Sequence, residues 1–383
     1  MAFKSLQSLR KTQPVKVDKK FFPIVVLGED LFSLSAVRQL WQRYGVAEVA
    51  FICSRHLDLK DFSLLGPNSL RGENNLKYFE KLYPTAAVKK QTQVASFYKE
   101  SQFKSFAGRT KPEPLLPGES FYIEPRLEFD QQEVFKLHQD QNFLAQLAEH
   151  TIELIPTAIK RYHSLDLIEK GKWKVTCSNG EEFVCEKLIF GRSPAVFLDL
   201  YKDKAELSDQ LIEVCEKTQT PCSLIVRLEY HKKVCEREES LFLPLSFTYQ
   251  WGHFVGEFSH YDESSNKQVG EFIHFINKDR ATEDEVSKKI RLLKRNLEKN
   301  FPLIKGAKVE EFIVLKEESS CLDFDNAAFA KIAEEVSGVL FIGDNAYLSN
   351  DLSKADSFED SFAETSHLTR GLLSLKTLEG LTL

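Results

Sequence analysis

The residues best placed for cofactor chemistry lie in the stretch Ile24-Val25-Val26-Leu27-Gly28-Glu29-Asp30-Leu31-Phe32-Ser33. A short β-branched apolar run that ends in a glycine turn and opens into a helix can lay the pyrophosphate of a dinucleotide on the helix N-terminus. That chemistry asks for glycine at three places, and Gly28 supplies the first. Asp30 stands where the second would let the pyrophosphate approach the backbone, and Ser33 where the third would let helix and strand pack closely. A helix N-terminus carries unsatisfied N–H groups and about half a positive charge. Glu29 and Asp30 bring carboxylates to that spot, so the chain is expected to cap its own helix where a phosphate would sit.

The acid that would bind the adenosine ribose, about twenty residues past the third glycine position, is replaced by Cys53. Arg55 could pair with a 2'-phosphate, a reading that would need the glycines the turn lacks. No other signature takes over the chemistry: the sequence holds no G-x-S-x-G, no Walker lysine motif and no H-E-x-x-H, and no metal is assigned. Glu257, His260 and His274 are titratable residues in the expected second sheet, where alternate strand positions face solvent as often as a pocket. Trp251, Phe254 and Phe258 read as core or interface.

The elements that position the turn are legible from periodicity. Residues 22–29 read as a buried parallel strand, and Leu31 to Tyr44 as a helix with Leu34, Val37, Leu40 and Trp41 on one face, ended by Gly45. Glu48 to Cys53 completes a β-α-β unit. Residues 132–150 read as helical. Thr151 to Lys160 and Lys172 to Cys185 read as an antiparallel meander turning at Ser178-Asn179-Gly180, followed by the strand Leu188-Ile189-Phe190 and Gly191. Ser223 to Tyr230, Leu241 to Tyr249, Trp251 to Phe258 and Val269 to Ile276 suggest a mostly antiparallel sheet. A helix over 282–299, rich in Lys and Arg, reads as an ordinary solvated face stopped by Phe301-Pro302. The strand from Val339 to Ile342, the turn Gly343-Asp344 and a helix from about Ser357 to Leu373, with Ser357 and Asp360 as a capping-box variant, close the chain.

Composition bounds what such a chain can do. Its 383 residues are long enough for two structural units, and 30 Phe against one Met point to aromatic-rich cores. A net charge of -6 argues against a general nucleic-acid binder. No apolar run approaches the roughly 20 residues needed to span a bilayer. The cysteines at 53, 177, 185, 215, 222, 235 and 321 include no C-x-x-C pair, read as reduced thiols, and suit a cytoplasmic setting. The basic first twenty residues, with Lys4, Arg10, Lys11, Lys16, Lys19 and Lys20, read as a flexible solvated arm, with a presequence or a docking arm as the other readings.

The order of these pieces resembles the flavin-containing amine oxidase, protoporphyrinogen oxidase and phytoene desaturase superfamily. Gly28 matches the opening of its nucleotide turn, Lys187 to Gly191 its mid-chain apolar strand and glycine, and Gly343-Asp344 its late Gly-Asp. Lys354 to Leu373 takes the place of its closing helix, and Pro221 through Lys316 resembles its substrate domain. The resemblance implies an α/β fold: a Rossmann-like FAD-binding-type domain, similar to the second glutathione reductase type, with a second mixed or antiparallel sheet domain. After the basic arm at 1–20, it implies a division into a first β-α-β at 21–58, an unassigned stretch at 59–149 that could belong to a substrate-type lobe, a return to the nucleotide-type domain at 150–219, a substrate-type sheet at 220–318 and a closing strand and helix at 319–383. By resemblance the cofactor positions are Gly28, Asp30, Ser33, Cys53, Gly343 and Asp344. Asp30, Ser33 and Cys53 depart from the pattern, as do Asp356 to Asp360 where the family shows small residues against the flavin.

Two functional expectations follow. In the first the chain binds no cofactor and serves as a binding or scaffold protein, with an unknown protein or small molecule as its partner. In the second it is an active FAD-dependent oxidoreductase with an atypical pyrophosphate loop, oxidising a C–N or C–C bond by hydride transfer to the flavin.

Overall fold

A computed structural model describes residues 19–53, 69–70, 72–84, 87–92, 95–99, 102–105, 133–138, 162–169, 171–217, 222–237, 239–245, 252–316, 335–343 and 367–383. Among these residues the strands form four sheets.

The sheet that carries the glycine turn has the order β18-β12-β2-β3, with β2 at Ile24–Leu27, β3 at Val49–Ile52, β12 at Lys187–Phe190 and β18 at Val339–Phe341. All three pairings are parallel, with Leu27 beside Ile52 and Phe190 beside both Leu27 and Phe341. β2 is wholly buried, as a strand covered on both faces must be. Its alternate side chains feed two cores. Ile24 and Val26 pack with α1 (Leu31–Tyr44), α2 (Glu73–Leu82) and α6 (His367–Lys376). Val25 and Leu27 pack with Trp173 and Phe183, and with Phe197 and Leu198 of α3 (Pro194–Leu200).

Trp173 belongs to the second sheet, β1-β11-β10-β9, which lies on that face. It comprises β1 (Lys19–Phe21), β9 (Tyr162–Glu169), β10 (Lys172–Cys177) and β11 (Glu182–Cys185). The result is a meander, a parallel sheet and a helical layer stacked in order, with α4 (Asp209–Lys217) beside α3.

The largest sheet runs β17-β13-β16-β15-β14-β6-β7. Its strands are β6 (Ala95–Lys99), β7 (Gln102–Ser105), β13 (Cys222–Tyr230), β14 (Ser240–Pro244), β15 (His253–Phe258), β16 (Gln268–Ile276) and β17 (Val309–Lys316). Only β6 and β14 pair in parallel, with Ser240 opposite Ala95. α5 (Glu283–Asn300), capped by Thr282 and ended at Phe301, presses Leu293 and Leu297 onto Phe254, Phe258 and Phe272. A small sheet, β4-β8-β5, joins β4 (Ser69–Leu70), β5 (Ala87–Thr92) and β8 (Glu133–His138).

Several elements differ from the sequence expectations. Glu133–His138, expected inside a helix, is a strand held between β4 and β5, so pairing overrides the local preference of a Glu- and Lys-containing segment. Residues 139–160, including the first expected meander strand, lie outside the described residues. Lys19 and Lys20, expected in the solvated arm, begin β1, and Lys20 Nζ lies 3.3 Å from Glu181 Oε1. Lys289, expected on the solvated face of α5, is only 8% exposed. The closing helix is described from His367 to Lys376, while the expected cap at Ser357 and Asp360 lies outside the described residues, as do Arg55 and Trp251.

Candidate functional site at the strand ends

β2 continues to β3 on one side, whereas β12 lies on the other, so the chain reverses direction across the sheet between β2 and β12. In open parallel sheets ligands settle in the crevice at such a switch point, beyond the carboxyl ends of the strands. Three glycines stand there: Gly28 after β2, Gly191 after β12 and Gly343 after β18. The Gly191 N–H donates to Leu27 O at 2.6 Å, and the Gly28 N–H to Ile52 O at 3.4 Å.

Ser33 occupies the crevice. Its Oγ would lie 1.9 Å from a Cβ on Gly28 and 2.1 Å from a Cβ on Gly191, so the two glycines are what allow its buried hydroxyl to fit between them. Asp30 fixes this hydroxyl. As the N-cap of α1, Asp30 accepts from Ser33 N at 2.8 Å and from Ser33 Oγ at 2.6 Å, both through Oδ1. Its other oxygen, Oδ2, lies 3.1 Å from where a Cβ on Gly343 would stand, a contact open because Gly343, at φ +97°, has none. Gly343 N in turn donates to Ser374 Oγ at 2.9 Å, and Ser374 Oγ donates to Gly371 O at 2.6 Å.

Of the sequence-predicted positions, the fold brings Gly28, Asp30, Ser33 and Gly343 together. Cys53 lies at the end of β3, buried at 5% exposure, and offers a thiol in place of a carboxylate. Asp344 lies outside the described residues. In the sequence Gly191 is legible as a strand terminus but not as part of the crevice, and Ser374 and Gly371 are not legible as members of it. Gly371 had a signal: a glycine inside a helix costs about 1 kcal/mol against alanine and asks for a packing reason. The reason is Phe32, whose ring would lie 2.1 Å from a Cβ there, so α1 and α6 meet at that point.

The Ser33 N–H, one of the donors a phosphate at this helix N-terminus would use, is bonded to Asp30, and the Asp30 carboxylate presents its second oxygen toward Gly343, so a diphosphate here would meet that carboxylate. Between like charges at about 4 Å the repulsion is on the order of 4 kcal/mol at an effective dielectric near 20.

The interlock has a direct test in stability. Gly28→Ala is expected to cost about 1–3 kcal/mol, because the new methyl meets Ser33 Oγ and Cβ and must displace them. Adding Ser33→Gly removes the obstacle, so urea midpoints should show strong coupling between the two substitutions. Simple additivity in that cycle would mean that the hydroxyl does not wedge the turn.

Protein-family models and curated proteins yield no match to the sequence. Solved structures do match the fold. An oxidoreductase from Methanosarcina mazei aligns over 95% of this chain and 100% of its own, with a TM-score of 0.59 and 12% identity. Reduced UDP-galactopyranose mutase aligns over 94% and 96% respectively, with a TM-score of 0.60 and 11% identity. Putrescine oxidase bound to putrescine aligns over 95% and 100%, with a TM-score of 0.57 and 9% identity. At such identities the likeness establishes the fold. It is the α/β arrangement expected from the resemblance: a Rossmann-like unit of the FAD-binding type with a second mixed sheet.

Proposed function

We propose that this chain carries an oxidoreductase fold used as a binding or scaffold protein without a resident flavin. The observation that carries the reading is the Asp30 carboxylate, bonded to Ser33 at the N-terminus of α1 where a phosphate would need the same N–H. Ser33 wedged between Gly28 and Gly191, and a buried thiol at Cys53 in place of an acid, point the same way. The six described cysteines are all buried, which suits thiols kept in a reducing compartment such as the cytoplasm. The partner is a protein or a small molecule.

The experiment is spectroscopic. Protein purified and then incubated with FAD is expected to be colourless, to lack the visible flavin band after desalting, and to leave flavin fluorescence unquenched. A second reading draws on the glycines kept at all three strand ends and on the fold shared over most of the chain with putrescine oxidase. It makes the chain an FAD-dependent oxidoreductase with an unusual pyrophosphate loop, acting on a C–N or C–C bond. A yellow preparation, or saturable quenching, establishes that second reading and ends the first.

A further inference from the structure

Away from the strand ends, on the outward side of α1, a cleft of about 410 Å³ opens between α1, the end of α2 and the C-terminal turn. Its lining includes Arg38, Arg43, Lys81 and one acid, Glu379. The cations are not equally committed. Arg43 donates to Leu378 O at 3.0 Å and to Glu379 O at 2.8 Å, which ties the C-terminal turn to α1. Lys81 Nζ lies 3.5 Å from Glu379 Oε1 in a pair whose members are 72% and 56% exposed, so the contact is weak. Arg38 is half-buried and makes no hydrogen bond or ion pair among the described residues.

The wall beside Arg38 is polar and ordered. Ser35 Oγ donates to Leu31 O at 2.7 Å and is hydrogen-bonded to the buried Tyr83 hydroxyl. Burial, the largest influence, raises the Tyr83 phenol to about 12 against the smaller opposing effects of Ser35 and Arg38, so the hydroxyl stays protonated. Among the described residues Gln39 Nε2 is buried and makes no well-formed hydrogen bond, its side chain acting on the Tyr78 phenol. Leu82, Pro84 and the Tyr83 ring add apolar surface.

We propose that this cleft binds a small organic molecule through an oxyanion group, a phosphate or a carboxylate. A guanidinium fork accepts either group in bidentate fashion, and a lysine adds a mobile point charge beside it. The volume lies within the roughly 300–1,000 Å³ typical of small-molecule sites. A cleft lined mostly by one sign of charge also concentrates anions, although the whole chain is net negative at -6. Glu379 is the internal competitor: the ligand displaces it from Lys81. The cleft's cations are not strand-end residues, although Ser35 lies one turn beyond Asp30, whose charge reaches Tyr83 as a small upward influence.

The test uses the full chain at low ionic strength, with inorganic phosphate and succinate as probes, read by calorimetry and by the NMR signal of the Arg38 side chain. Binding in the millimolar range or tighter is expected for at least one probe. Arg38→Gln should weaken it by at least about tenfold, the loss of one charge-assisted contact. Glu379→Gln should tighten it several-fold, an effect that a merely structural role for these side chains would not give. Circular dichroism confirms that each variant is folded. Preference for phosphate assigns a phosphorylated compound, and preference for succinate a carboxylate. The inference is overturned if neither probe binds, if binding ignores Arg38→Gln, or if Glu379→Gln leaves affinity unchanged.

Discussion

Replacing Asp30 and Ser33 with glycine, and Cys53 with glutamate, is expected to raise the affinity for FAD by nearly three decades. The figure follows from the repulsion between the Asp30 carboxylate and a pyrophosphate oxygen at about 4 Å, on the order of 4 kcal/mol, at 1.4 kcal/mol per decade. Removing Asp30 also frees the Ser33 N–H at the start of α1, and removing the Ser33 hydroxyl opens the space between Gly28 and Gly191. Glutamate at position 53 restores an acceptor for the ribose, but the site is only 5% exposed, so the double variant Asp30→Gly with Ser33→Gly should be made beside the triple. Flavin fluorescence quenching gives the affinity, and thermal melting shows whether each variant is folded. A folded variant with no gain would mean that something other than these side chains closes the site.

Acid is expected to weaken the large sheet more steeply than its carboxylates alone would. His253 and His274 are both buried, and His274 Nδ1 lies 2.6 Å from His253 O. Burial holds His253 well below the usual histidine range, and the His274 and Lys289 charges add to the effect. Burial also lowers His274 to about 3, Lys289 again contributing, against a small upward pull from its bond to His253 O. Lys289, from α5, is itself lowered by burial, with Glu285 opposing and Lys288 and Arg280 reinforcing.

The sign follows from proton counting. In the unfolded chain both imidazoles take up protons near pH 6.5, whereas the folded chain resists until far lower pH. Stability is therefore full above about 6.5 and falls as the pH drops from there toward 3, by about 1.4 kcal/mol per unit for each histidine. Across that window His274 alone accounts for a loss on the order of 5 kcal/mol. Urea midpoints between pH 7 and pH 5, where few carboxylates titrate, should fall in the wild type and fall less steeply in His274→Gln. Equal slopes would show that His274 is not held neutral by its surroundings.

The sequence revealed most where one signal acted alone. α1 was legible from Leu34, Val37, Leu40 and Trp41, and its boundaries from the capping residue Asp30 and from Gly45. The carboxylate cap was readable for the same reason: it is a contact between residues three apart. Gly191 and Ser374 were not readable as members of the site, because they reach it through strands and helices distant in the chain. β8 was misread as helix because its pairing with β5 outweighs local preference. Lys289 was misread because a helix rich in charges hides the one whose stem turns inward, and lysine's long apolar stem allows it.

The parallel pairing of β6 with β14 gives the large sheet a timing problem at the ribosome. β6 and β7 leave the exit tunnel first, and at roughly 5–20 residues per second they wait on the order of ten seconds for the strand they will flank. Through that interval the hairpin offers open backbone to any nascent neighbour. Chaperone demand for this polypeptide should therefore be set by the delay before β14 emerges.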